Sequence, residues 1–239
     1  MELYRCDLVL HDYLFFATTE RGKVAETGPF IHNYALTYAL GWATSPWRNE
    51  EQLPHYNEEL SQVGQRYATP ARLVGGSYLV SQYNTMSESY SLSKGRSIGY
   101  PDWGFIKGFR PGSIFRFYVI SSQPVEFPLF IRLGKFMAKT RIIVTRANQV
   151  QRSTALNSEA KREGSPVLLN WTDLAPAGRP LVYDIVASAL PTRLVDNPVF
   201  QGVIGPYLSA TFTRGEQDKI TIDLPLQMGY LGANLCLSW

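Results

Sequence analysis

The chain opens on an alternation. Tyr4, Cys6, Leu8 and Leu10 fall on one side of an extended segment, and Arg5, Asp7 and Val9 fall on the other. A period of two marks a half-buried strand, and Leu14-Phe15-Phe16 extends it. The period then changes. Ile31, Tyr34, Ala35, Tyr38, Ala39 and Trp42 stand at i, i+3, i+4, i+7, i+8 and i+11, a single apolar stripe that predicts an amphipathic helix over Phe30–Ala43. Gly28-Pro29 precedes it and Gly41 to Pro46 follows it, as proline near a helix start and glycine near its end should. A strand followed by such a helix predicts an α+β unit.

Past the helix, Asn49–Ala68 is acidic and polar and reads as a short helix or a loop excursion. Ser81–Tyr100, rich in Ser, Tyr and Gly, reads as irregular. Period two returns at Ser113–Ile120, Leu129–Leu133 and Thr140–Thr145, and Gly134-Lys135-Phe136-Met137-Ala138-Lys139 joins the last two as a basic hairpin tip. Asn148–Ser165 is polar and expected at the surface. Further strands are predicted at Leu181–Val186, Tyr207–Thr213, Lys219–Leu224 and Tyr230–Leu237. No repeat breaks the chain. The pattern predicts one domain over residues 1–239, with inserted loops at about 45–112 and a basic hairpin at about 129–146.

Composition agrees with a turn-rich fold containing sheet: fourteen Tyr, twelve Phe, five Trp, nineteen Gly and fifteen Pro. No apolar run approaches the roughly 18–20 residues of a membrane span, so no membrane association is expected. The start of the chain meets an acid before any basic region, unlike a secretory signal. Cys6 and Cys236 stand alone, which suits a cytoplasmic protein with reduced thiols. His11, His32 and His55 lack metal-ligand spacing, so neither a metal nor a cofactor is expected. GxSxG, phosphate-loop and dinucleotide fingerprints are absent.

Charge changes the picture more. From Ser89 to Ser158 there are eleven Lys/Arg against Asp102 and Glu126, a local +9, while the remaining residues sum to −6 within a total of +3. A basic block on an otherwise acidic protein is the footprint of a polyanion-binding surface. Tyr90, Tyr100, Trp103, Phe105, Phe109 and Phe136 interleave with the cations, and Gly95, Gly99, Gly104, Gly108, Gly112 and Gly134 stand beside them. Such aromatics give unpaired bases a face to stack on, and such glycines would let a strand approach the backbone. The structural alternatives are core aromatics and solvated arginines. A catalytic alternative is metal-free RNA cleavage by His32, Tyr34 and a lysine of the basic block, against a His32 that only caps the helix.

Three segments carry a family resemblance: His11-Asp12-Tyr13-Leu14-Phe15-Phe16-Ala17; Ile31-His32-Asn33-Tyr34-Ala35-Leu36-Thr37-Tyr38-Ala39-Leu40-Gly41; and Arg132-Leu133-Gly134-Lys135-Phe136-Met137-Ala138-Lys139-Thr140. In this order the chain resembles the Cas-five-type (Csc-one) subunit of type I-D CRISPR Cascade complexes. The resemblance implies an RNA-binding RAMP protein with a ferredoxin-like (RRM-like) core. Such a subunit holds the 5′ handle of the CRISPR RNA and caps the backbone filament. It also contacts the large subunit and lies near target DNA beside the PAM. It is usually non-catalytic, although one related subtype uses its corresponding subunit as the repeat endonuclease. The glycine-rich loop of such proteins has two candidates here, Gly202–Gly205 and Gly229–Gly232. Charge and resemblance together assign the nucleic-acid contact to Lys94, Arg96, Lys107, Arg110, Arg132, Lys135, Lys139 and Arg141.

Overall fold

The first strand organises the architecture because both of its faces are covered. The computed structural model describes residues 1–45, 55–85, 102–153, 165–174, 179–180, 182–186, 193–200, 207–215, 218–230 and 237–238. Strand β1 (Glu2–Leu10) lies between β9 (Ile114–Ser121) and β11 (Ala138–Arg146), antiparallel to each. The half-buried strand expected from the alternation is therefore fully buried at its centre. Cys6 and Leu8 on one side are inaccessible, and Arg5 and Asp7 on the other are 2% and 5% exposed.

The same sheet continues to β10 (Phe130–Leu133) beyond β11. On the other flank it continues to β6 (Ala71–Gly75) and β4 (Phe30–Ile31), with β5 (Arg66–Ala68) also pairing β9. Every pairing in it is antiparallel. Cross-strand neighbours Cys6–Phe117 and Leu8–Phe115 fill one face, where Phe127 also lies against Tyr4 and Trp42. The opposite face is covered by a sheet of β12 (Gln149–Ser153), β16 (Tyr207–Arg214) and β17 (Asp218–Pro225), whose Phe212 meets Tyr118 at 5.5 Å.

A second sheet stands beside the first: β2 (Thr19–Arg21), β3 (Val24–Glu26), β8 (Asp102–Phe109) and β7 (Tyr78–Thr85), in that order. Smaller sheets are β13 (Leu168–Asn170), β15 (Leu194–Val199) and β14 (Val182–Val186), and the pair β18 (Gln227–Met228) with β19 (Leu237–Ser238). The α-helices among the described residues are α1 (Asn33–Ala39) and α2 (Tyr56–Glu59), and neither is long enough to cross a membrane. The chain is thus α+β with antiparallel sheet predominating.

The main helix is shorter than the apolar stripe predicts. Phe30 and Ile31 are extended and pair with Arg72 and Ala71, so their apolar side chains serve a strand. His32 then caps α1, and Gly41 leaves it with φ +73°, a conformation open to glycine and costly to other residues. Within the 45–112 region expected as loops, the described residues form α2, β5, β6, β7 and all of β8. Ser81–Thr85 belongs to β7, while the rest of the Ser81–Tyr100 stretch lies outside the described residues. So do 154–164 of the polar Asn148–Ser165 segment, and most of the predicted Tyr230–Leu237 strand. The strands expected near 113–120, 129–133, 140–145, 181–186, 207–213 and 219–224 are present within two residues.

Candidate nucleic-acid interface

Residues 11–16 cross the end of the main sheet and are gripped from both sides. On one side the hairpin β10–β11 holds them. The His11 amide donates to the Lys139 carbonyl at 2.9 Å, and the Lys135 amide to that of Phe15 at 2.8 Å. Gly134 has φ +74°, and a Cβ there would stand 2.5 Å from the Phe15 carbonyl oxygen. On the other side Leu14 exchanges backbone hydrogen bonds with Phe109. The Tyr13 hydroxyl lies 3.0 Å from the Leu79 carbonyl and 3.1 Å from that of Ile106. Tyr13 also covers Gly108, where a Cβ would meet the Leu14 carbonyl at 2.3 Å. Gly108 and Gly134 thus serve close packing within the protein.

The outward face of the hairpin collects cations. Arg132 is directly opposite Lys139, and Phe130 directly opposite Arg141. Like charges so placed repel. Among the described residues one carboxylate stands beside them: Asp12 Oδ2 accepts the Lys139 backbone amide at 2.9 Å and lies 3.7 Å from the Arg132 guanidinium. Arg132 also donates to the Met137 carbonyl at 3.1 Å, and the Lys139 ammonium sits 4.3 Å over the Phe130 ring. At the tip, Lys135 is exposed, and Phe136 is 53% exposed while stacked on Phe15 at 5.3 Å.

The eight predicted residues do not all share this face. Arg132, Lys135, Lys139 and Arg141 do share the hairpin. Arg110 is exposed in the turn between β8 and β9. That turn reaches the same end of β1, since Gly112 donates to the Leu10 carbonyl. Lys107 sits in β8 and is engaged, 2.6 Å from Glu26 and 4.3 Å over Tyr78. Lys94 and Arg96 lie outside the described residues, as do Tyr90, Tyr100, the side chain of Trp103 and the Gly202–Gly205 candidate loop. Phe109 is core. Arg116 and Arg146 are paired with Asp7 and Glu2 at 2.6 Å.

Beside the hairpin tip is a cavity of about 470 Å³. Residues from all three motif segments line it, including Phe16, His32, Ala35, Tyr38 and Lys135, together with Glu59. His32, Tyr34 and Lys135 are therefore brought together, as the catalytic alternative requires. Their chemistry is less favourable. His32 Nδ1 accepts the Tyr34 amide at 3.3 Å, and burial lowers its pKa to about 4. The Tyr34 hydroxyl donates to Asp173 Oδ1 at 3.3 Å. Buried Asp173 also accepts Asn33 Nδ2 at 2.7 Å and the Tyr67 hydroxyl at 3.0 Å, while Thr37 meets the Tyr230 hydroxyl at 2.8 Å. Burial first, then the Asp173 carboxylate, pushes the Tyr67 phenol well above its ordinary range.

The Asn33-Tyr34-Ala35-Leu36-Thr37 stretch is thus an internal anchor through its polar residues and a cavity wall through Tyr34 and Ala35. Glu59 is buried, yet hydrogen bonds from Ser45 and Tyr38 hold its carboxyl below the usual range. Sequence reasoning assigns no role to Phe130 or Glu59, and it includes Asp12 and Tyr13 only as members of the His11–Ala17 segment. Their roles come from partners elsewhere in the chain: Lys139 for Asp12 and Phe130, Leu79 and Ile106 for Tyr13, and Tyr38 for Glu59. No cluster of metal-ligating side chains occurs among the described residues.

Residues 1–233 match the family model described as type I-D CRISPR-associated protein Cas5/Csc1, nearly the whole chain. No curated protein matches it.

Proposed function

The chain belongs to the type I-D Cas5/Csc1 family of CRISPR antiviral Cascade subunits, and from that premise we propose that it is a non-catalytic, guide-RNA-holding subunit. Arg132, Lys135, Lys139 and Arg141 take phosphates of the 5′ handle, with Arg110 beside them. Lys107, in β8, and Lys94 and Arg96, outside the described residues, complete the set of proposed contacts. The observation that carries this reading is the hairpin face itself, where Arg132 and Lys139 are directly opposed and Asp12, 3.7 Å from Arg132, is the one carboxylate beside them among the described residues. A phosphate backbone supplies the missing counter-charge, and Phe130 and Phe136 offer stacking surfaces.

The finer fold assignment rests on strand order. β11-β1-β9-β6 run antiparallel, the order four-one-three-two of a ferredoxin-like core, with α1 in the first crossover. In the second crossover, residues 122–129 and β10 stand where that core has a helix. We read the whole as one RAMP domain that caps the backbone filament in the cytoplasm, contacts the large subunit and lies beside PAM-proximal target DNA.

Fluorescence anisotropy with labelled repeat RNA tests the assignment. Affinity should fall with salt at a log–log slope of about −0.7 per phosphate engaged, and Lys135→Glu with Lys139→Glu should weaken binding at least tenfold. Unchanged affinity and assembly in that double variant would remove the hairpin from the interface. A second reading, a metal-independent repeat endoribonuclease, draws on His32, Tyr34 and Lys135 lining one cavity. A base with a pKa near 4 transfers protons poorly at neutral pH. Repeat RNA incubated with the protein in EDTA should stay intact; a specific product lost in His32→Ala would reverse the assignment.

A further inference from the structure

The hairpin cations account for a phosphate backbone but leave the adjacent cavity unused. Its volume, about 470 Å³, falls within the range of small-ligand sites. Rings of Phe16, Phe30, Tyr38 and Tyr56 stand in its wall, and the small side chains of Ala17 and Ala35 leave the space open. Among the described residues, Lys135 is the one predicted contact that also lines it. The Lys135 backbone is fixed by its bond to the Phe15 carbonyl, so its exposed side chain starts from a set point between hairpin and cavity.

We propose that this cavity receives one unpaired nucleobase of the bound RNA, the phosphate beside that base resting on Lys135. The inference rests on the RNA-holding reading and adds to it a defined base-sized subsite. Protein readers of single-stranded RNA splay bases out and stack them on aromatic rings, which sequence-tolerant backbone contacts alone do not require. An aromatic pocket with a cation at its edge and the Glu59 carboxylate in its wall fits a base, whose amino groups can donate to a carboxylate, better than it fits a phosphate, which a carboxylate repels.

The test uses the full-length protein and repeat-derived RNAs that each carry one abasic site, with affinity read by anisotropy at fixed salt. One position should stand out, its abasic form binding about tenfold more weakly while most others change less than about twofold. Ala35→Leu, which fills the cavity, should weaken intact RNA by a similar factor and abolish the sensitivity at that one position. Ala17→Leu, from another part of the wall, should do the same. Because the abasic series uses unaltered protein, misfolding of either variant leaves the test standing. Salt-dependent binding with no distinguished position, or sensitivity that persists in both filled variants, overturns the subsite and leaves the hairpin reading intact. Failure of intact RNA to bind at all overturns both.

Discussion

The main sheet carries two groups of cationic side chains that the protein handles in opposite ways. On the face under β16 and β17, Arg5 is 2% exposed and bonds Asp7 at 2.9 Å and Asp218 at 2.6 Å, while Arg116 reaches Asp7 at 2.6 Å. Burial alone would drive the Arg5 guanidinium toward neutrality, but its two carboxylate partners hold it charged, and its bond in turn lowers Asp218. On the hairpin face, Arg132 alone of Arg132, Lys135, Lys139 and Arg141 has a carboxylate within 4 Å among the described residues, Asp12 at 3.7 Å. A cation that helps build the fold arrives with its acid. Cations left unanswered at the surface cost little to hold in water and remain available to a polyanion.

That contrast is broken most directly at Asp7. Removing one partner of a buried ion pair leaves an uncompensated charge, at about 3–5 kcal/mol. Asp7→Asn should lie near the lower end, since Asp218 still holds Arg5, and a urea midpoint would register it. The salt slope of RNA binding should not move. A neutral Asp7→Asn would erase the distinction between the two groups.

His32 shows what burial does when its effect is not outweighed. Its folded pKa of about 4 lies below the ordinary 6.5, so between those values the unfolded chain binds a proton that the native state does not. Stability contributed by neutral His32 is therefore full above about pH 6.5 and falls as pH drops toward 4. The loss by pH 4 is on the order of 2–3 kcal/mol. His32→Asn retains a capping acceptor and should flatten that part of the profile, read from urea midpoints at pH 4.5 and 7. An unchanged slope would mean that other groups set the acid limb.

Gly134 couples the two properties that the comparison separates. Alanine there must adopt φ +74° and place its Cβ 2.5 Å from the Phe15 carbonyl oxygen. A cost of about 1–3 kcal/mol is expected, together with weaker RNA binding because the hairpin would shift on residues 11–16. Stability lost with RNA affinity unchanged would show that hairpin position and RNA contact are independent.

The strands of the hairpin and of β16–β17 were legible because one face of each meets the core and one meets solvent, which writes period two into the sequence. The helix is shorter than its apolar stripe. Phe30 and Ile31 are equally apolar in a strand beside β6 and in a helix, and periodicity does not tell the two apart. Arg5 looked like an outward residue because its partner Asp218 lies 213 positions away. The basic block was visible as composition, yet composition could not separate Arg116, paired inside, from Arg141, exposed on the hairpin. Pairing in space makes that division, and it also makes Lys107 a partner of Glu26.

The smallest expected stability effect belongs to Lys135. Its side chain is exposed, and its backbone bond to Phe15 does not depend on the ammonium. Lys135→Gln should therefore change the stability read from urea unfolding by no more than about 0.5 kcal/mol, as surface substitutions usually do. The same substitution removes one phosphate contact, so the log–log salt slope should become shallower by about 0.7. Asp7→Asn and Lys135→Gln then form opposite corners of one measurement, the first moving stability alone and the second moving salt dependence alone. A Lys135→Gln protein with reduced stability and an unaltered slope would assign this lysine to the fold, and the division between answered and unanswered cations would fail at the residue that joins hairpin to cavity.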